Sequence, residues 1–184
     1  MASAARRTFV LVDGENLDAT LGGSVLARRP EPEERPRWER LLSYAEEIWD
    51  QPATGLFFLN ASVHLPHSFV SALLAIGFRP VPLSGKATEK VVDLGIQRTL
   101  DALAAHQADV LLCSHDGDFL PHVERLLADR RVGMVGFREF MNSGFPALGV
   151  EVHDLEYDVK GFNITLPRVR VIALDEFDPE EFLL

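Results

Sequence analysis

Acidic side chains at the ends of two predicted strands are the residues of this sequence best suited to chemistry. Asp116 and Asp118, one glycine apart, follow the mostly apolar run at 109–113, and Asp13 follows the apolar, β-branched run at 8–12. Short apolar runs of this kind are typical of buried parallel strands. The carboxyl ends of parallel strands lie along one rim of a sheet, where open α/β folds bind their ligands. We therefore expect these three aspartates on a shared rim.

Asp93 is a fourth candidate for the same place. It falls in the early turns of a predicted helix at 88–105, which leads into the 109–113 strand, so its side chain is expected to point back at the rim. Four carboxylates at close range raise one another's pKa unless a cation compensates their charge. Oxygen ligands without cysteine or paired histidines favour a hard divalent ion, Mg²⁺ or Mn²⁺. Such a site suits phosphodiester hydrolysis, because the ion activates water and stabilises charge on the phosphoryl oxygens.

Four further polar residues lie close to these aspartates in the sequence. Lys90 shares a helix face with Asp93 and is a candidate for contact with a nonbridging phosphate oxygen as a point charge. The Asn16 amide is a candidate for orienting water or substrate, and the Ser114 hydroxyl for a hydrogen bond at the metal or the substrate. His115 lies inside the Asp116 loop and is a candidate substrate contact.

Each of these residues also has an ordinary structural explanation. Asp13 with Asn16 can cap a helix, and Ser114 or the aspartates after it can cap the next one, since Asp, Asn and Ser lead at such positions. Lys90 and Asp93 can be an exposed helix pair that contributes little to stability. Helix capping does not require three acidic loops to share one edge of a sheet, and that coincidence favours a functional site.

The composition indicates a single domain with a substantial core. The chain has 184 residues, of which 47% are hydrophobic, and its one cysteine has no second thiol to pair with. These features predict a cytoplasmic protein without disulfides. No apolar run approaches the roughly 20 residues that cross a bilayer, so no membrane association is expected.

The net charge restricts the kind of partner. A formal charge of −10 argues against a general nucleic-acid coat protein, for which a basic stripe is expected. About half of this charge comes from the acidic tail at 174–184. The acidity therefore weakens a phosphate-binding function without excluding it.

The order of predicted elements indicates an α/β fold with a doubly wound, mostly parallel sheet. Strands are predicted at 8–12, 55–59, 78–83, 109–113, 132–137 and 150–155, and helices at 15–21, 36–49, 67–76, 88–105 and 118–129. An arginine-rich arm at 28–40 is expected to be exposed, and the 140–149 loop is a candidate flap. We predict a domain at 1–160 and a C-terminal extension at 161–184, whose alternating apolar residues are candidates for pairing in a homodimer.

Three short motifs resemble those of the NYN domain family, a branch of the PIN-like nucleases. They are residues 12–16 (VDGEN), 90–93 (KVVD) and 114–119 (SHDGDF), which match the Asp-x-x-Asn, Lys-x-x-Asp and Ser-x-Asp-x-Asp-Phe patterns in order. The resemblance extends from about 8 to 155. His115 and Val91 stand where smaller residues are common in look-alikes, which would narrow the site.

The resemblance implies a PIN-like three-layer α/β/α fold and cleavage of RNA that depends on Mg²⁺ or Mn²⁺. The acidic set would be Asp13, Asp93, Asp116 and Asp118, with Asn16 and Lys90 as supporting residues. No glycine-rich phosphate loop follows a strand, which excludes nucleoside triphosphatase and dinucleotide-binding functions. An aspartyl-nucleophile phosphatase ranks last, since Asp-x-Asp is absent after the first strand.

The leading hypothesis is therefore a metal-dependent ribonuclease. The alternative is a non-catalytic module that binds RNA or another protein. In that case the arm would supply phosphate contacts through Arg28, Arg29, Arg35, Arg37 and Arg40, and binding would depend steeply on salt without needing a metal.

Overall fold

Within the residues that the computed structural model describes, 6–169 and 171–183, six β-strands form one parallel sheet. The strands are β1 (Arg7–Asp13), β2 (Ala53–Asn60), β3 (Phe78–Leu83), β4 (Ala108–Cys113), β5 (Val132–Gly136) and β6 (Glu151–Asp154). Their order is β3-β2-β1-β4-β5-β6. The winding direction reverses between β1 and β4, and sheets of this kind bind ligands outside the carboxyl ends of those two strands. The predicted doubly wound α/β fold is confirmed.

Helices cover both faces of the sheet and make the fold three-layered. They are α1 (Gly14–Thr20), α2 (Trp38–Trp49), α3 (His67–Ala75), α4 (Val91–Leu103), α5 (Leu120–Leu126) and α6 (Gly144–Ala147). On one face Leu41 of α2 and Leu73 of α3 join a core cluster with Val10 of β1. On the other face, Ile96 of α4 and Val123 of α5 join a second core cluster.

The sequence pattern explains why α4 and β4 form where they do. Every residue of β4 is buried, as expected for a central parallel strand covered on both faces. The buried residues of α4 recur at helical spacing and are Val91, Val92, Ile96, Leu100 and Leu103. Because α4 descends from the rim towards the opposite end of the sheet, its first turn faces the carboxyl ends of β1 and β4.

Three local features differ from the sequence prediction. Helix α4 begins at Val91 rather than 88, so Lys90 is the cap residue and Asp93 lies in the first turn. The helical structure does not end with α1 but continues through a π-helical turn at Leu21–Val25. The 140–149 loop contains α6, whose Phe145 is fully buried. This buried aromatic side chain anchors the segment that we predicted as a flap.

The chain beyond residue 160 continues to pack on the domain. Phe162 and Leu166 are buried in the α2-side core, whereas Val169 and Val171 are exposed. A domain boundary at 160 and pairing in a homodimer stay predictions, and part of the alternating segment is already used in contacts within the chain. Among the described residues, no helix combines the length and hydrophobicity that crossing a membrane requires.

Candidate metal centre

The rim of the sheet brings the predicted site residues to one place. Asp13 is the last residue of β1, and Ser114 directly follows β4, which pairs with β1 through Val12 and Cys113. A cavity of about 380 Å³ opens here. Its lining includes Asp13, Asn16, Lys90, Asp93 and Asp116.

Three carboxylates form the centre of the site. Asp93, Asp116 and Asp118 each place one carboxylate oxygen within 4.8 Å of the others. Asp93 is held by the first turn of α4. Asp116 caps the 3₁₀ turn at Gly117–Phe119, and its Oδ1 accepts the Asp118 backbone N–H at 2.9 Å. The turn therefore fixes the two loop aspartates relative to each other.

Lys90 is the basic side chain next to these carboxylates. Its Nζ lies 3.6 Å from Asp93 Oδ2 and 3.6 Å from Asp118 Oδ2, and its side chain is 72% exposed. The charges of Asp93, Asp118 and Asp116 raise the pKa of Lys90. At neutral pH the side chain is thus a full positive charge at the open mouth of the cavity.

Asp13 lies behind the three-carboxylate group and outside it. Asp13 is only 2% exposed. Its Oδ1 accepts a hydrogen bond from the Asn16 backbone N–H at 3.2 Å, and its Oδ2 accepts one from the Ser114 hydroxyl at 3.0 Å. Burial, helped by the charge of Asp93, raises the pKa of Asp13 to about 6 against the lowering effect of these two hydrogen bonds. A nearby cation would relieve the cost of this buried charge.

Ser114 connects Asp13 to the Asp116 loop. Its side chain is fully buried, its hydroxyl donates to Asp13, and its Oγ accepts the Asp116 backbone N–H at 3.2 Å. One hydroxyl thereby fixes the end of β1 to the loop after β4.

His115 holds Asn16 in position from the interior. The residue is 7% exposed, and its Nε2 accepts the Phe137 backbone N–H at 2.8 Å, so the ring hydrogen lies on Nδ1 and is directed at Asn16 Oδ1, 2.9 Å away. The His115 backbone N–H donates to the same oxygen at 2.9 Å. Burial lowers the pKa of His115 to about 4, so the ring is neutral at physiological pH. With its oxygen held twice, the amide nitrogen of Asn16 is left for the cavity.

The three residues predicted to contact substrate differ in their exposure to solvent. Lys90 is at the surface, whereas Ser114 and His115 are buried and hydrogen-bonded within the protein. Substrate contact by these three, and direct metal ligation by Asp13, stay predictions. What the structure adds for Ser114 and His115 is a role in positioning Asp13 and Asn16.

Three polar residues of the cavity lining were not among the predicted ones: Glu15, Asn60 and Glu89. Asn60 is the last residue of β2, so the rule that located Asp13 also points to it. Glu15 lies inside the 12–16 motif, and burial together with the charge of Asp93 raises its pKa. The two glutamates make the cavity more acidic than the predicted set alone.

The donor set fits a hard divalent cation. Burial raises the pKa of Asp93, and the charge of Asp116 adds to that effect, although Lys90 opposes it. Since Lys90 alone does not compensate the negative charge around it, the cavity retains the carboxylate oxygens and the unneutralised charge that Mg²⁺ or Mn²⁺ requires. Asp93, Asp116 and Asp118 are the residues that would hold the ion.

A nuclease-like α/β protein is a class that an acidic rim on a doubly wound sheet fits. The sequence profile of the NYN domain family matches residues 7–147, and the chain belongs to this family of PIN-like nuclease domains. A crystal structure of a protein of unknown function from Vibrio parahaemolyticus is similar, with a TM-score of 0.66 and 18% identity over 83% of this chain and 94% of that one. At this identity the likeness concerns the fold alone. Comparison with curated proteins gives no match.

Proposed function

We propose that the protein is a ribonuclease that hydrolyses RNA phosphodiester bonds with Mg²⁺ or Mn²⁺. The proposal depends on one observation: Asp93, Asp116 and Asp118 each place a carboxylate oxygen within 4.8 Å of the others. They meet at the sheet position where such folds bind ligands, and membership in the NYN domain family supports a nuclease-like activity.

The residues around the metal site have separate tasks in this reaction. The ion, when bound, supplies Lewis-acid stabilisation of the phosphoryl oxygens and an activated water. Lys90, at the open mouth of the cavity, binds a nonbridging oxygen as a point charge. The amide nitrogen of Asn16 donates a hydrogen bond to a substrate oxygen or the attacking water, and His115 keeps that amide in orientation.

Cleavage of a labelled single-stranded RNA by the purified protein tests the proposal. We expect turnover with Mn²⁺ or Mg²⁺, none with EDTA, and a loss of more than about a hundredfold in Asp116→Asn, because even an outer partner of a metal ligand is worth about 10–100-fold. Asp13→Asn is expected to lose activity while staying folded. Asp50→Asn is the matched control, because Asp50 is an exposed residue with φ 48°, a conformation that asparagine tolerates, far from the rim. Full activity in both Asp116→Asn and Asp13→Asn contradicts the proposal.

The alternative, a non-catalytic RNA-binding module, receives less support from the arm. Arg28 donates to both carboxylate oxygens of Glu34, and Arg35 pairs with Asp18 at 2.7 Å. Arg40 donates to the carbonyl oxygens of Lys160 and Phe162. Because these arginines are engaged within the chain, fewer are left for phosphates. Tight RNA binding in EDTA, with a steep salt dependence and no cleavage with any metal, would favour the alternative.

A cytoplasmic location is part of the same proposal. Cys113 is a free and fully buried thiol, as expected of a protein that folds in a reducing compartment. Fractionation of cells that express the full chain tests this location, and recovery outside the cytoplasm would contradict it.

A further inference from the structure

A second groove adjoins the metal cavity on the β3 side. It lies between β3 and α4 and has a volume of about 420 Å³, within the range of small-ligand sites. Glu89 and Val91 line both the groove and the metal cavity, so the two are continuous. A strand of RNA that places a phosphate at the metal therefore has the groove as the neighbouring surface on this side.

Beyond Glu89, the walls of the groove are mainly apolar. Val81 and Leu83 line it from β3, and Leu94, which is 40% exposed, lines it from α4. Gly95 faces Leu83, and a Cβ at this position would collide with the Leu83 side chain. The glycine therefore allows α4 to lie close to β3. An apolar wall of this kind suits the flat face of a base.

Two arginines lie towards the far end of the groove. Arg98 lines it and follows Val91 by seven residues, which places it on the same face of α4 and about 10 Å further from the rim at 1.5 Å per residue. Strand alternation places Arg79 on the same sheet face as Val81. Both are exposed, and neither guanidinium has a hydrogen bond or ion pair to any residue of 6–169 or 171–183. Most arginines elsewhere on the surface, such as Arg28 and Arg125, are paired.

We propose that this groove is a nucleotide subsite for single-stranded RNA, in which a base lies against Leu83 and Leu94 and an adjacent phosphate is bound by Arg98. The inference rests on the proposed nuclease function, because the metal cavity fixes where the strand begins. A single strand is required, since the base faces of a duplex are stacked on each other and cannot reach such walls. The acidic metal site and the basic end of the groove would hold successive parts of the same backbone.

Binding measured without metal separates this subsite from catalysis. A fluorescein-labelled ten-residue oligouridylate is titrated with the full-length chain in EDTA, followed by anisotropy at several salt concentrations. Arg98→Ala should weaken binding about tenfold and reduce the slope of log K against log salt by about 0.7, the value for one phosphate contact on a single strand. Leu94→Glu should weaken it more than Leu94→Lys. Arg125→Ala, which removes the same charge from α5, is the control and should leave the affinity unchanged.

Cleavage kinetics in Mn²⁺ provide the second measurement. Arg98→Ala should raise KM for the ten-residue substrate while kcat is kept, because the lost contact binds the ground state and transition state alike. A dinucleotide is too short to reach Arg98 and should be cleaved equally by the variant and the unmodified protein. All of these variants are at exposed positions, and melting followed by circular dichroism is the check that they stay folded.

The outcomes distinguish the two proposals. Unchanged binding and unchanged KM in both Arg98→Ala and Leu94→Glu overturn the subsite, even if the protein cleaves RNA. The expected loss of binding in these variants supports the subsite, even if no metal gives cleavage and the nuclease proposal fails. A duplex of equal length that depends equally on Arg98 overturns the assignment to a single strand.

Discussion

Among the residues that the structure describes, two clusters each combine three carboxylates with one basic side chain, and they differ in how completely the negative charge is neutralised. The arginine cluster consists of Arg168 with Glu139, Asp154 and Glu156. The rim cluster consists of Lys90 with Asp93, Asp116 and Asp118. Both lie near the carboxyl ends of strands, so position on the sheet alone does not separate them.

The arginine cluster is buried and saturated with hydrogen bonds. The Arg168 side chain is 2% exposed, donates to all three carboxylates, and lies between the rings of Phe137 and Tyr157, 5.0 and 4.6 Å from their centroids. Burial works to raise the pKa of Asp154, but hydrogen bonds from Arg168 and from backbone N–H groups outweigh it, so the pKa is lowered. Nothing in this arrangement calls for a further cation.

The rim cluster is open and short of positive charge. Lys90 approaches Asp93 and Asp118 only to 3.6 Å and is 72% exposed, and the pKa of Asp93 is raised rather than lowered. Asp13 behind it has a pKa of about 6. The open geometry of this cluster and the raised pKa of Asp93, against the buried, fully hydrogen-bonded Arg168 and the lowered pKa of Asp154, therefore set the rim cluster apart from a structural ion network.

The largest effect on stability is expected from Arg168→Met. This substitution leaves three carboxylates close together and largely buried without their cation, and breaking a buried ion network in this way costs about 3–5 kcal/mol. Urea denaturation at pH 7 measures the free energy of unfolding. Arg125→Met is the control, because Arg125 is an exposed arginine that pairs with Asp101 on the surface. A loss below about 1 kcal/mol, the value of a surface pair, would show that the arginine cluster is not structural.

The next effect concerns pH and Asp13. Its folded pKa of about 6 lies above the ordinary 3.8, so between these values the native protein binds more protons than the unfolded chain. Stability should therefore fall as the pH rises from about 4 to 6, by up to about 3 kcal/mol from this residue, since one pKa unit corresponds to about 1.4 kcal/mol.

Urea denaturation in EDTA across this pH range, with Asp13→Asn beside the unmodified protein, isolates the Asp13 contribution. Other groups titrate in both proteins, so the difference between the two curves is the quantity of interest. It should grow with pH in favour of Asp13→Asn. A constant difference would mean that Asp13 keeps an ordinary pKa and that the contrast between the clusters is smaller than the geometry indicates.

Sequence patterns were sufficient for the sheet and for the acidic rim. The strand ends at Asp13 and Cys113 could be located because apolar runs stop there, and parallel strands bring their ends together. The helical position of Asp93 followed from periodicity. These features depend on local patterns and on topology rules, both of which can be read without knowing any side-chain contact.

Tertiary contacts decided what the sequence could not show. The burial of His115 depends on the Phe137 backbone, which donates to its ring from 22 residues further along the chain. Arg168 lies in the predicted C-terminal extension at 161–184, and its importance follows only from the three carboxylates that it contacts in the folded protein. Residue spacing likewise does not determine that Asp13 lies outside the group formed by Asp93, Asp116 and Asp118.

A smaller and concentration-dependent effect is expected from divalent ions. A ligand that binds only the native state at a hundred times its Kd stabilises it by about 2.7 kcal/mol, so Mn²⁺ or Mg²⁺ should raise the urea midpoint. Asp116→Asn should abolish this increase. Glu156→Gln, which alters the arginine cluster instead, should retain it even though the protein starts from a lower stability. An equal response in both variants would mean that the ion does not bind at the rim.

The smallest effect on stability is expected from Lys90→Met, and it tests the contrast most directly. Lys90 is exposed and screened by solvent, so its removal should leave the urea midpoint in EDTA unchanged, as should Lys86→Met, the control on the preceding turn. Because the ammonium repels a second cation near Asp93 and Asp118, its loss should lower the Mn²⁺ concentration needed for half of the stabilisation. RNA cleavage should fall nevertheless, since the contact to the phosphate is lost. If Lys90→Met destabilises the protein as Arg168→Met does, then Lys90 is the structural counterion of the rim cluster, and the two clusters are of one kind.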